Sequence, residues 1–133
     1  MRISEKIVVE VVQEASAKMG DPNYSAVLVG GFVQEQPAAS EYIKSHLDDM
    51  GGAEAVVNCI FHAALIALCF QRGNNRTVRA MTFDELDHVS EGDRAANLRE
   101  VQPAIRGYIE MNVENEAMQR VLTLLSLAME WVS

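Results

Sequence analysis

The chain is poor in aromatic residues, in positive charge and in cysteine. Tyr, Phe and Trp supply 6% of its 133 residues, so a core built on large rings is excluded. The interior must come from Ala, Val, Leu, Ile and an ample share of Met, seven in all, which suits close-packed helices. Lys and Arg number 11 against 19 Asp and Glu, a net charge of −8. Such a field repels nucleic acid and anionic lipid, so neither is expected as a partner, whereas a basic protein would fit. The two cysteines, Cys59 and Cys69, fall on one predicted helix about 15 Å apart along its axis, beyond the ~7 Å between Cα atoms that a disulfide tolerates. Two free buried thiols point to a reducing compartment, and the expected location is cytoplasmic.

Several catalytic signatures are also missing. There is no phosphate loop, no dinucleotide fingerprint and no glycine-flanked serine elbow. Gly30-Gly31 and Gly51-Gly52 lack the Lys or the strand-helix context that would give them such a role. The N-terminal stretch carries Glu5, Glu10 and Glu14 and does not read as a signal-peptide core.

What is present is apolar periodicity. At 49% apolar and 23% charged, the chain reads as a single globular domain spanning 1–133. Ile3, Ile7, Val8, Val11, Val12, Ala15 and Met19 form an amphipathic stripe over 3–19, closed by Gly20-Asp21-Pro22. Residues 24–36 read as helix, with a Gly-Gly hairpin at 24–36, and so an α+β fold, as the alternative. If that stretch is helical, its glycines are expected to admit another helix closely. Pro37 suits a helix start, Thr82 with Glu85 makes a capping box, and Asp93 is a good N-cap. Pro103 either kinks a helix over 94–112 or divides it in two. No internal repeat is read.

The longest apolar run lies between Ala53 and Phe70, interrupted only by Glu54, Asn58 and His62. It is expected to be the central helix, about 53–72, buried on every side. Its core at 55–70 falls short of the ~20 apolar residues of a membrane span, so no membrane is expected as a partner. The fold expected is all-α, a bundle of roughly six or seven helices around that one.

Candidate sites are few. Cys59 and His62 share a helical face and could be two ligands of one metal, but no further ligand stands at suitable spacing. Glu85 and His88 form a single Glu-x-x-His element, of which a di-metal bundle needs two. His46 beside Asp48 and Asp49 reads as a helix-end cluster. Arg72, Arg76 and Arg79 are the one local basic patch, able to meet an anion or a partner's carboxylates. No metal, cofactor or catalytic residue is expected. The stronger sign is a surplus of apolar surface. The last helix carries Met118, Val121, Leu122, Leu125, Met129 and Trp131, and one domain does not readily bury two such helices. The expectation is a small acidic interaction or adaptor protein, homodimeric through that last helix or bound to another protein. Alternatives are a helical enzyme or metal binder using Cys59 with His62, or Glu85 with His88, and a binder of a small apolar ligand between Met-rich helices.

Overall fold

Short polar side chains and prolines open most of the helices. In the computed structural model, which describes residues 2–133, Ser4 accepts a bond from the Ile7 amide at the start of α1 (Glu5–Lys18). Asp21 does the same for Asn23 at the start of α2 (Pro22–Glu35). Pro37 opens α3 (Pro37–Ser45), after which α4 (Leu47–Met50) is a single turn. Gly51 and Gly52, both at positive φ, reset the chain into α5 (Ala53–Asn74). Thr82 and Glu85 complete the capping box of α6 (Phe83–His88). Asp93 caps α7 (Arg94–Val101), Pro103 opens α8 (Pro103–Asn112), and Asn115 caps α9 (Glu116–Val132).

The described residues thus form nine helices and no strand, an all-α chain. The hairpin alternative for 24–36 is corrected to helix. The count exceeds the expectation because two stretches divide. Ser45 Oγ and His46 Nδ1 both approach the Tyr42 carbonyl where α3 stops, and Pro103 separates α7 from α8. Gly20 does not take a left-handed C-cap conformation; Met19 closes α1 in a right-handed one. No helix packs closely on Gly30 or Gly31, where an added Cβ would meet nothing within 4 Å, so that expectation is corrected too.

Two further corrections concern the central helix. It runs to Asn74, 22 residues, because Gln71 and Arg72 continue the turn until Asn75 goes left-handed. By length and composition alone it could cross a membrane, although half of its most apolar window is buried by neighbouring helices. Nor is it covered on every side: Glu54, Val57 and Asn58 are exposed. The helix that is enclosed is α9, whose side chains from Val121 to Met129 are all buried. Thr123 and Ser126 turn their hydroxyls back onto the carbonyls of Gln119 and Leu122, so both are buried with partners.

The second half repeats the packing of the first. In the first half α1, α2 and α3 each lie on α5, and α2 meets α3; in the second, α6, α7 and α8 each lie on α9, and α7 meets α8. Between halves, α5 packs on α9, α1 reaches α8, and α3 reaches α6. The sequence echoes this: Gln36-Pro37-Ala38 with Tyr42-Ile43 returns as Gln102-Pro103-Ala104 with Tyr108-Ile109. Both glutamines are buried, and each holds the segment that leads into the other half. Gln36 Oε1 accepts from the Met81 amide at 2.9 Å, just before α6; Gln102 Oε1 accepts from the Ile3 amide at 2.7 Å, just before α1. The reading of no internal repeat is therefore corrected. It was obscured by unequal helix lengths, 14 residues in α1 against 6 in α6.

Candidate functional site

The exposed side of α5 is the floor of a large open hollow. Glu54, Asn58 and His62 recur every fourth residue and so line one face of the helix. Over that face lies an open groove of about 1170 Å³. Met19, Ser25 and Val29, from the end of α1 and from α2, form one wall; Met111 to Asn115 and Met118, at the junction of α8 and α9, form the other. Val57 and Met19 are each 53% exposed, and Met111, standing between this groove and a smaller one, is 87% exposed.

His62 is held in the groove by a neighbouring side chain. Its Nδ1 lies 2.7 Å from the Tyr108 hydroxyl, and its ring meets that of Tyr108 edge-on. Burial lowers the pKa of His62 and raises that of Tyr108. At neutral pH the imidazole is therefore uncharged and the phenol keeps its proton, so one hydrogen joins a neutral pair. Among the described residues, the charges lining the groove are the carboxylates of Glu54 and Glu114.

The sequence candidates are scattered rather than gathered. Cys59 is fully buried, and burial pushes its thiol up to about 12, while His62 is committed to Tyr108. Glu85 binds Arg79 and the Thr82 amide, which together hold its carboxyl down to about 2, with the Arg79 bond the larger cause. His88 instead stacks on Trp131, ring centres 4.3 Å apart. No three His, Cys, Asp or Glu side chains come together as metal ligands among the described residues. In the basic patch, Arg72 pairs with Glu14 and Arg79 with Glu85; Arg76 is exposed and makes no ion pair among the described residues. His46 caps α3, its ring tilted against that of Tyr42.

The expected interface on the last helix needs correcting. Met118, Val121, Leu122, Leu125 and Met129 are at most 3% exposed, covered by the chain's own helices; Trp131 alone of that set is open, at 58%. The helix α9 that carries them is packed by α5, its match in the other half, and by α4, α6, α7 and α8. Sequence reasoning missed Val57, Asn58, Met111, Asn112 and Asn115 as groove residues. The usable signal was the four-residue recurrence of Glu54, Asn58 and His62, which marks a stripe rather than three interruptions. No protein-family model matches the chain, and neither does any curated protein or solved structure.

Proposed function

We propose that this chain is a small, non-catalytic interaction protein that holds a partner protein in the groove over α5. The observation that carries this is the convergence of exposed apolar side chains, Met19, Val57 and Met111, on one open groove. Clustered exposed apolar surface marks interaction sites, whereas scattered single residues do not. The adjoining helix α2 supports the reading: it has no charged residue before Glu35, and Phe32 is its one fully buried side chain. Apart from Trp131, the residues on which self-association through the last helix depended are buried within the chain, so the favoured partner is a different protein. Free buried Cys59 and Cys69 fit a reducing, cytoplasmic setting.

A second reading, capture of a small apolar ligand, draws on a hollow of about 560 Å³ between α1 and α8, lined by Val8, Val9, Val12, Ala104 and Met111. Its size is that of a ligand pocket. The two readings separate in one experiment. Tagged protein is recovered from the native host as wild type, as Val57→Asp in the large groove and as Val9→Asp in the small one. The proposal expects a co-purifying protein that is lost with Val57→Asp and kept with Val9→Asp, both variants remaining helical by circular dichroism. Loss of a bound apolar molecule with Val9→Asp alone favours the second reading. A partner retained by Val57→Asp contradicts the first.

A further inference from the structure

From the charge of its lining we infer that the groove over α5 takes a cationic amphipathic helix of a partner protein. This inference rests on the groove being the working surface. The face between Glu54 and His62 runs for about 12 Å, two turns and more of a docked helix. Apolar contacts are available along it from Val57, Phe61, Met111 and Val29. Its rim carries Glu54 and Glu114 and no Lys or Arg. Asp48 and Asp49, both exposed, stand just before Gly51. Lys18, next to Met19, is the nearest basic neighbour in the chain, and its ammonium sits over the Tyr24 ring at 5.5 Å. His62 adds no positive charge, since its buried ring is neutral. Carboxylates beside an apolar floor complement a helix with Leu-like residues on one face and Lys or Arg along its edges, and they speed its approach.

The fold itself does not impose this charge. The corresponding hollow of the second half, between the start of α7 and the first turns of α9, is smaller, about 410 Å³, and is lined by Arg94, Arg106 and Arg120 together with the carboxylates of Asp93 and Glu116. Two positions of one repeated architecture have thus diverged: the smaller carries charges of both signs, and the larger carries carboxylates with no Lys or Arg.

The test uses the full chain and three synthetic helical peptides: one with a Leu face and Lys flanks, the same with Glu for Lys, and a scrambled Leu-Lys control. Binding is read by calorimetry and by amide shifts around Val57 and Met111. The inference expects the Leu-Lys peptide to bind roughly tenfold or more tighter than the Leu-Glu peptide, with the preference reduced by salt. In the variant Glu54→Lys/Glu114→Lys, the preference should fall or reverse. Equal binding of the two peptides, abolished for both by Val57→Asp, overturns the cationic helix while leaving the groove as a docking surface. Shifts that avoid the groove altogether overturn both. A free protein that is dimeric by light scattering, and becomes monomeric with Val57→Asp, identifies the occupant as a second copy and likewise overturns the inference.

Discussion

Replacing Gln36 by Ala should destabilise the protein by far more than a polar residue in a helix junction normally would. The side chain is 3% exposed. Its Oε1 accepts from the Met81 amide at 2.9 Å, and its Nε2 donates to the carbonyls of Arg79 at 2.9 Å and Val78 at 3.3 Å. The segment between α5 and α6 has no helix or strand to satisfy its backbone, so Gln36 substitutes for one. Met81 is buried, and in the variant its N–H has no partner and no water; leaving such a donor unpaired costs about 1–3 kcal/mol. Arg79 is exposed, so its carbonyl can turn to water at little cost. Adding about 1 kcal/mol for the remaining bond and the small cavity, the loss should total about 2–4 kcal/mol. Urea unfolding measures this loss, and hydrogen exchange locates it: protection should drop at Met81 and its neighbours before it drops in α9. The matched substitution, Gln102→Ala, should act at the other end of the chain and release the Ile3 amide. A loss below about 0.5 kcal/mol in Gln36→Ala, with Met81 still protected, would refute the claim that each half anchors the other's leading segment.

Three other outcomes follow from the same contacts. Glu85 has its pKa lowered from 4.5 to about 2 by Arg79 and Thr82, so on acidification the unfolded chain takes up that proton first. The stability this carboxylate contributes is complete above pH 4.5 and is lost as the pH falls towards 2; urea midpoints of wild type and Glu85→Gln should therefore converge across that window, and parallel curves would contradict the pairing. Cys59 and Cys69, both pushed up to about 12 by burial, should resist a thiol-specific reagent in native protein at pH 8 and both react in denaturant; rapid native labelling would show that the helices do not cover them. Leu125→Asp places a charge at a position 1% exposed in α9 and should abolish folding, seen as loss of helical signal; a folded variant would return that face of α9 to the surface.

Helix starts were legible where one side chain sets them. Thr82 with Glu85, Asp93 and Pro37 act through bonds or ring geometry within one turn, whereas Pro103 left open whether it kinked one helix or began another, and Gly20 was read as the cap that Met19 supplies. Which helix occupies the centre was not legible, because that depends on how many neighbours each one gains. Two apolar helices compete for cover, and the long-range packing encloses α9 while leaving the early turns of α5 open. Apolar content misled here: α5 has the longer run, but its Glu54, Asn58 and His62 share a face, whereas the polar residues Thr123 and Ser126 of α9 satisfy themselves internally and go inside. The groove shared this fate. Its floor was written in the four-residue stripe, but Met19 at the end of α1 and Met111 to Asn115 at the α8–α9 junction are distant in sequence and meet only once the chain has folded. Gln36-Pro37-Ala38 and Gln102-Pro103-Ala104, each with Tyr-Ile at the same spacing, are the trace of the repeat in the sequence, and the packing gives that trace its meaning.

The most direct test of the groove as the working surface is a hydrogen-exchange footprint of the full chain with and without the partner recovered from its native host. Docking over α5 should add protection in α2, in the turns from Glu54 to His62 and across Met111 to Asn115, and should leave the hollow at Arg94, Arg106 and Arg120 unchanged. Protection confined to that second hollow, or to the end of α9 around Trp131, would contradict it.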